Sequence, residues 1–461
     1  MPKGCKKLMK AWFSHAFKKA IQLLSGQSGA QGAALYFAHI PKTAGTSFIV
    51  LLDRFFATDK IFPHQLWREV SKIDTAENQA YRLFRGHFGG GGVKQLTARP
   101  IQPITILRSP ETLATSTYEF VKREKNTKVH ELVSANDMSL AAFLQHPQTA
   151  ALVSDRMVRN LSFDFKEDPA AQEVFLSAET IAQLQPIINQ QKSAISDEAR
   201  LNRAKKFIES CAWFGLLERF DESLQWLSFV NRWPPFGLTQ KLNRRKKQRQ
   251  LSTEESQLIA EMNAFDSRLY DWASKRFDSQ YQSMLNALER FRTEQDESVD
   301  ELLDKHYRSH HAKAIKGSLP LGMAYGFDQP LLGSQWHRRE LMQPENEYFR
   351  WTGPDAVASI DFWIEPADYE LIIRVINATD VTVLNELKLT INNQPLHWHT
   401  ADEGVVRVLR ATVPMDAIAT DGLARLGFHC GSMVSHQQAF GSDDERLVGV
   451  AVHRMEFKHV N

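Results

Sequence analysis

The stretch Tyr36–Leu51, YFAHIPKTAGTSFIVL, decides how the rest of the chain is read. An apolar run, Leu35–Phe37, leads into a loop of Pro41, Lys42, Thr43, Ala44, Gly45, Thr46 and Ser47. A second apolar stretch, from Phe48 to Leu52, then resumes at helical spacing. This pattern predicts a strand, a tight turn and a helix, with a lysine, a glycine and three hydroxyls at the turn. Backbone N–H groups at a helix N-terminus, a flexible glycine and a lysine together suit phosphate or sulfate oxygens. The G-x-x-x-x-G-K-[ST] order of the nucleoside-triphosphatase loop is absent. On these residues alone, an ordinary strand-to-helix turn with a solvated lysine reads the same.

Outward from this turn, short apolar runs (Leu35–Ala38, Ile104–Leu107, Ala212–Leu216) alternate with longer amphipathic stretches as far as residue 290. The alternation predicts an α/β domain over 33–290, a parallel sheet with helices on both faces. Leu258, Ile259, Met262, Phe265, Leu269 and Trp272 recur at helical spacing and predict one long closing helix, with Ser252 and Glu255 placed as its capping box. Residues 291–330 turn charged and then Gly- and Pro-spaced, and read as a linker. Beyond them, strands are expected over Ala356–Ile364, Tyr369–Val375, Val381–Ile391, Gly404–Val413 and Leu447–Phe457, an antiparallel β-sandwich domain over 331–461.

At 461 residues the chain can bury more than one core. Its formal net charge of +2 gives no global field for nucleic acid. No acidic residue precedes Asp53, while Lys3, Lys6, Lys7, Lys10, Lys18 and Lys19 crowd the start. With Leu8, Trp12, Phe13, Phe17, Ile21 and Leu24, the segment 1–32 has one basic and one apolar face. It suits peripheral contact with an anionic membrane or a partner, and equally a surface helix packed on the neighbouring domain. No run approaches the ~20 apolar residues of a spanning helix. Cys5, Cys211 and Cys430 are too few and scattered for a disulfide framework, which points to the cytoplasm.

The string His39–Ser47, HIPKTAGTS, resembles the phosphosulfate-binding loop of sulfotransferases that use 3′-phosphoadenosine 5′-phosphosulfate (PAPS), in particular the carbohydrate O-sulfotransferases of the heparan sulfate 2-O and 6-O type. Further similar segments follow in order. Arg85-Gly86-His87-Phe88 resembles the R-x-H-F segment that carries that branch's catalytic histidine. Thr105–Pro110 with Ser116 and Tyr118 resembles its 3′-phosphate-binding segment. Asp155–Leu161 is similar to its arginine-containing helix, and Phe214–Phe220 to its late FGLTE strand and turn. The resemblance implies a P-loop-like sulfotransferase fold. Animal relatives carry a membrane anchor that this sequence does not show, which together with the few cysteines leads us to expect a bacterial, cytoplasmic enzyme.

Specific roles follow from that resemblance. Lys42 would stabilise the leaving phosphate or only anchor the nucleotide, and Thr43, Gly45, Thr46 and Ser47 would hold the 5′-phosphate. His87 would take the acceptor's hydroxyl proton, since a neutral imidazole can do so near neutral pH. Arg108, at a strand end, with Ser116 would select the 3′-phosphate, unless Arg108 serves an internal ion pair. Arg159 is favoured over Arg156 as a further nucleotide contact. Ser109 stands where the family usually has aspartate, and Gly89–Gly92 replaces more structured residues. The basic run Lys241–Arg249 would close over the nucleotide or receive an acidic glycan. No metal is implied. His397-Trp398-His399 reads as structural, and of Trp336, Trp351, Trp363 and Trp398 most read as core, with one or two available to stack on sugar. The expected reaction is sulfuryl transfer from PAPS to a carbohydrate hydroxyl. A P-loop-like small-molecule or sugar kinase is the alternative enzyme, and an inactive nucleotide- or glycan-binding protein the non-enzymatic one.

Overall fold

The computed structural model describes residues 32–127, 129–164, 183, 195–237, 249–315 and 319–460. The basic N-terminal segment, Cys5 and residues Lys241–Lys247 lie outside the described residues.

Four parallel strands make the first sheet: β1 (Ala34–Ala38), β2 (Leu83–Gly86), β3 (Ile101–Leu107) and β4 (Trp213–Leu216), in the order β2-β1-β3-β4. Every residue of β1 and β4 is buried, as expected of continuous apolar runs that helices cover on both faces. Helix α1 (Gly45–Asp53) follows β1, and α2 (Pro110–Arg123) follows β3. In register, Ala38 lies opposite both Gly86 and Thr105, and Leu107 opposite Leu216. The residues just beyond the four strand ends therefore meet at one edge of the sheet, where ligands bind in open parallel sheets.

Helix α3 (Arg156–Ser162), α4 (Asp197–Ser210), α5 (Phe220–Asn231), α6 (Thr253–Met262) and α7 (Ala264–Leu288) pack around this sheet. The capping box forms as expected at the start of α6: the Glu255 N–H donates to Ser252 and the Ser252 N–H to Glu255. The single long closing helix does not form, because the chain breaks at Asn263. Its side chain accepts from the Asp155 N–H at 3.0 Å and donates to the Ile259 carbonyl at 3.0 Å. The break allows a reciprocal cap. Asp266 accepts from the N–H groups of Met157 and Val158 at the start of α3, at 2.9 and 2.7 Å, while Asp155 accepts from those of Phe265 and Asp266 at the start of α7, at 3.0 and 2.8 Å. Each carboxylate satisfies donors that the other helix leaves open. Burial pushes the Asp266 carboxyl up to about 7.

The stretch read as a linker carries a helix, α8 (Val299–Ile315), whose Leu302, Leu303, Tyr307 and Ile315 are buried in the α/β core. Beyond it, seven strands form one antiparallel sheet. They are β13 (Trp398–His399), β14 (Arg407–Val413), β10 (Tyr369–Ala378), β18 (Val450–His459), β8 (Glu347–Trp351) and β7 (Glu340–Met342) in that order, with β5 (Met323–Gly326) also on β18. Five more form a second sheet: β12 (Gln394–Leu396), β11 (Lys388–Ile391), β15 (Leu423–His429), β9 (Val357–Trp363) and β6 (Gly333–Ser334). Leu371, Ile373, Val452 and Phe457 of the first sheet share one buried core with Ile360, Phe362, Leu426 and Phe428 of the second.

Three strand assignments need correction. The run Leu447–Phe457 is divided at Gly449 into Leu447–Val448, which pairs with Val434–Ser435, and β18. Val381–Ile391 is not one strand: Asp380 caps a short helix, Val381–Asn385, and only Lys388–Ile391 pairs. Local side-chain capping outcompetes the β-branched run there. β15, the centre of the five-stranded sheet, went unseen in the sequence.

The two parts interlock. Leu332, Trp363 and Leu423 of the sandwich belong to the α/β core. Arg425 bridges Asp304 of α8 and Asp361 of β9, at 2.6 and 2.7 Å. Among the described residues, no helix is long and apolar enough to cross a membrane.

Candidate functional site

The edge of the parallel sheet gathers His39 after β1, His87 after β2, Arg108 after β3 and Glu218 after β4. The turn between β1 and α1 is wound through the left-handed region at Lys42 (φ 74°) and Ala44 (φ 63°). Two non-glycine residues in that region mark a turn held by its surroundings. The holding groups are visible. Arg108 Nη1 donates to the Lys42 carbonyl at 2.8 Å, and Thr43, fully buried, donates its hydroxyl to the Ile40 carbonyl at 2.8 Å. Thr43 thus shapes the turn and is turned inward, whereas Thr46 is exposed and Ser47 half-buried.

Helix α1 begins with no side-chain cap and no acidic residue in its first turn, so its N-terminal dipole is directed to the turn. Gly45 opens the helix because of close approach: a Cβ there would lie 1.8 Å from Nε2 of His39. The Lys42 ammonium sits 3.9 Å from the centroid of the Phe120 ring. Thr112, Ser116 and Phe120 recur every four residues along α2 and so share one face. Thr112 accepts from Arg108 Nε at 3.0 Å at one end of that face, and Lys42 lies over Phe120 at the other, which places Ser116 between them.

Ser109 takes over the N-cap of α2, accepting from the Thr112 N–H, so the departure from aspartate leaves the helix start intact. Glu218 completes the support. It accepts from the Ser109 N–H at 3.0 Å and from the hydroxyls of Thr112 and Tyr270 at 2.8 Å each.

His87 is half-buried, with Nδ1 2.8 Å from the His39 carbonyl. A carbonyl can only accept, so the proton sits on Nδ1 and the lone pair of Nε2 is left for another proton. Burial, with the charge of Arg156 adding to it, pushes the His87 imidazole down to about 4, so the ring is neutral near pH 7. The His39 ring stacks on it with centroids 4.2 Å apart, and burial together with the neighbouring His87 holds His39 well below the usual histidine range. Arg85 fixes β2 beside the site by a bidentate pair to Asp53, at 2.7 and 3.1 Å.

The glycine run forms one helical turn, Gly89–Gly92, against α3. A Cβ on Gly90 would lie 2.0 Å from the Leu161 carbonyl, so these glycines permit backbone to pack on backbone. Of the two arginines of α3, Arg156 acts on the histidine pair and donates to Thr117 of α2 at 3.2 Å. Arg159 instead donates to the Ala151 carbonyl at 2.5 Å.

His39 and Glu218 lie within the quoted segments His39–Ser47 and Phe214–Phe220 but were given no role of their own, and Thr112 and Phe120 were not singled out. His39 and Glu218 also each follow a strand end, a second signal that points to them. His397 and His399 are exposed, and among the described residues no three His, Cys, Asp or Glu side chains group to hold a metal. Trp336, Trp351 and Trp363 are buried and Trp398 is half-buried, its Nε1 donating to the Leu387 carbonyl, so none of the four stands out to stack on sugar.

No protein-family model matches the chain, and no curated protein does. Among solved structures, a family GH115 4-O-methyl-α-glucuronidase with specificity for decorated arabinogalactans is similar at 10% sequence identity and a TM-score of 0.19. The match covers 76% of this chain and 42% of that one. The chain spans less than half the length of that enzyme, and a likeness of this degree carries no argument about fold or function.

Proposed function

We propose that the chain has a sulfotransferase fold and transfers a sulfuryl group from PAPS to a carbohydrate hydroxyl. The observation that carries this reading is the convergence at one sheet edge of an uncapped helix N-terminus, Lys42, Arg108 and a neutral His87 with Nε2 available. The residues fit the donor. The α1 N-terminus with Gly45, Thr46 and Ser47 suits the 5′-phosphate, and Arg108 beside the Ser116 face of α2 suits the 3′-phosphate. Arg108 has a second duty, because it also holds the Lys42 carbonyl.

In the transfer, His87 Nε2 takes the proton of the acceptor hydroxyl as its oxygen bonds to sulfur. The bond from sulfur to the phosphate oxygen breaks, and Lys42 meets the negative charge growing on that oxygen. For this, the ammonium moves from its place over the Phe120 ring. The acceptor class rests on the resemblance of His39–Ser47 and Arg85–Phe88 to the carbohydrate branch.

The test is calorimetric titration with 3′-phosphoadenosine 5′-phosphate against ADP, both without magnesium. Preference for the 3′-phosphorylated nucleotide, weakened at least about tenfold by Arg108→Ala, is expected, since a lost charge-assisted hydrogen bond is worth about 1.5–3 kcal/mol. Equal affinity for the two nucleotides, or binding of ATP only with magnesium, would overturn the proposal.

A further inference from the structure

Arg108 is held at two of its nitrogens. Nη1 donates to the Lys42 carbonyl at 2.8 Å, and Nε to the Thr112 hydroxyl at 3.0 Å. A planar guanidinium fixed at two points has one orientation, whereas one fixed at a single point can turn about that bond. The direction of the Thr112 hydroxyl therefore bears on where the arginine fork points. A carboxylate from the neighbouring strand sets that direction.

β3 and β4 pair with Leu107 opposite Leu216, so the residues just past their ends meet. Arg108 is the first residue after β3 and Glu218 the second after β4. Thr112 has one hydroxyl proton to give. Glu218 Oε1 lies 2.8 Å from its oxygen, the Ser109 hydroxyl 2.9 Å and the Ser109 carbonyl 3.2 Å. Of the three only Glu218 is charged, and a charge-assisted bond is the stronger, so the proton goes to the carboxylate. The lone pairs of the Thr112 oxygen are then turned to the Arg108 Nε–H and the Ser109 hydroxyl. A directed chain results, from guanidinium through hydroxyl to carboxylate, in which each group polarises the next.

Glu218 is itself tied down, although its side chain is exposed. Oε1 also accepts from the Ser109 N–H at 3.0 Å, at the start of α2, where negative charge is favoured. Oε2 accepts from the Tyr270 hydroxyl of α7 at 2.8 Å. Burial, with the Glu218 charge adding to it, holds Tyr270 well above the usual phenol range, so it stays a donor.

We propose that Glu218 and Thr112 are positioning residues for donor specificity: Glu218, acting through the Thr112 hydroxyl, sets the Arg108 fork at the angle that distinguishes a nucleotide with a 3′-phosphate from one without. This rests on the donor reading given above, under which Arg108 meets the 3′-phosphate. The Lys42 carbonyl keeps its bond to Nη1 when the Thr112 bond is lost, so the turn that faces the 5′-phosphate is retained.

The test is calorimetric titration of the whole chain with 3′-phosphoadenosine 5′-phosphate and with ADP, both without magnesium, alongside thermal unfolding. Thr112→Val removes the hydroxyl and keeps the shape, Thr112→Ser keeps the hydroxyl, and Glu218→Gln removes the charge. Thr112→Val and Glu218→Gln should each weaken binding of the 3′-phosphorylated nucleotide about three- to tenfold, the size of one hydrogen bond, and change ADP binding by less than about twofold. Thr112→Ser should bind as the unaltered chain does. The double variant Thr112→Val, Glu218→Gln should lose little more than the weaker-binding single variant, because both act along one chain of bonds. A preference for the 3′-phosphate unchanged in both single variants overturns the proposal, as does an equal loss for the two nucleotides, the mark of a merely structural role. Should one variant fail to fold, its unfolding curve shows it and the other decides. Equal affinity of the unaltered chain for the two nucleotides overturns the donor reading and this proposal with it, so the two failures are told apart by the chain in which they occur.

Discussion

Replacing Gly45 by alanine sets two effects of known size against each other. In a helix, Gly→Ala gains about 1 kcal/mol through backbone entropy. Here the new Cβ would lie 1.8, 2.1 and 2.2 Å from Nε2, Cε1 and Cδ2 of His39, in the space the imidazole occupies. The ring cannot yield freely, because it is stacked between Phe37, at 5.4 Å, and His87, at 4.2 Å. Overpacking of this kind typically costs about 1–3 kcal/mol, and losing a ring contact about 0.5–1.5 kcal/mol more. Gly45→Ala should therefore be destabilising by about 1–3 kcal/mol. In a His39→Ala background the obstacle is gone, and the same substitution should be neutral or stabilising by up to about 1 kcal/mol. Denaturant unfolding of the four chains gives a double-mutant cycle with a coupling of at least about 1 kcal/mol. A coupling near zero, or a single Gly45→Ala chain more stable than the parent, would refute the packing argument.

Two further outcomes follow from the same geometry. Because burial drives His87 down to about 4, the base form persists well into acid, and kcat/KM for the donor should stay flat from about pH 8 to pH 5 and fall only as pH approaches 4; a break near the ordinary histidine value would show that His87 is either solvated or not the base. Trp363→Ala should destabilise the α/β domain and the sandwich together by about 3–5 kcal/mol, since this 3% exposed ring packs on Tyr307 and His311 of α8; a calorimetric scan in which the sandwich melts early and the α/β domain is unaffected would contradict the shared core.

Much of the architecture was legible because its signals are short-ranged. The strand, turn and helix around Lys42, the capping box of Ser252 and Glu255, and the alternating strands from Val357 to Val413 each depend on residues a few positions apart. Two of the failures, the closing helix and the linker, have a common cause in distant contacts, unlike the local cap at Asp380. The break at Asn263 depends on Asp155, 108 residues earlier, and the helix Val299–Ile315 is held by apolar contacts with a core built elsewhere. In the candidate site, Lys42, His87 and Arg108 were readable as residue types, but their geometry was not. Arg156 and Arg159 are one helical turn apart, and only packing decides which of them faces the histidine pair.

By itself, then, the sequence determined the α/β character of the first part, the β-rich character of the second and the composition of the candidate anion-binding turn. Hydrophobic period and turn chemistry are properties of neighbouring residues. The tertiary structure alone decided that His39 stacks on His87, that Glu218 braces Ser109 and Thr112, and that Arg339 of the β-rich part donates to the Asp53 and Phe56 carbonyls at the end of α1. Those relations arise from strand register and domain docking, which bring together residues between 48 and 286 positions apart.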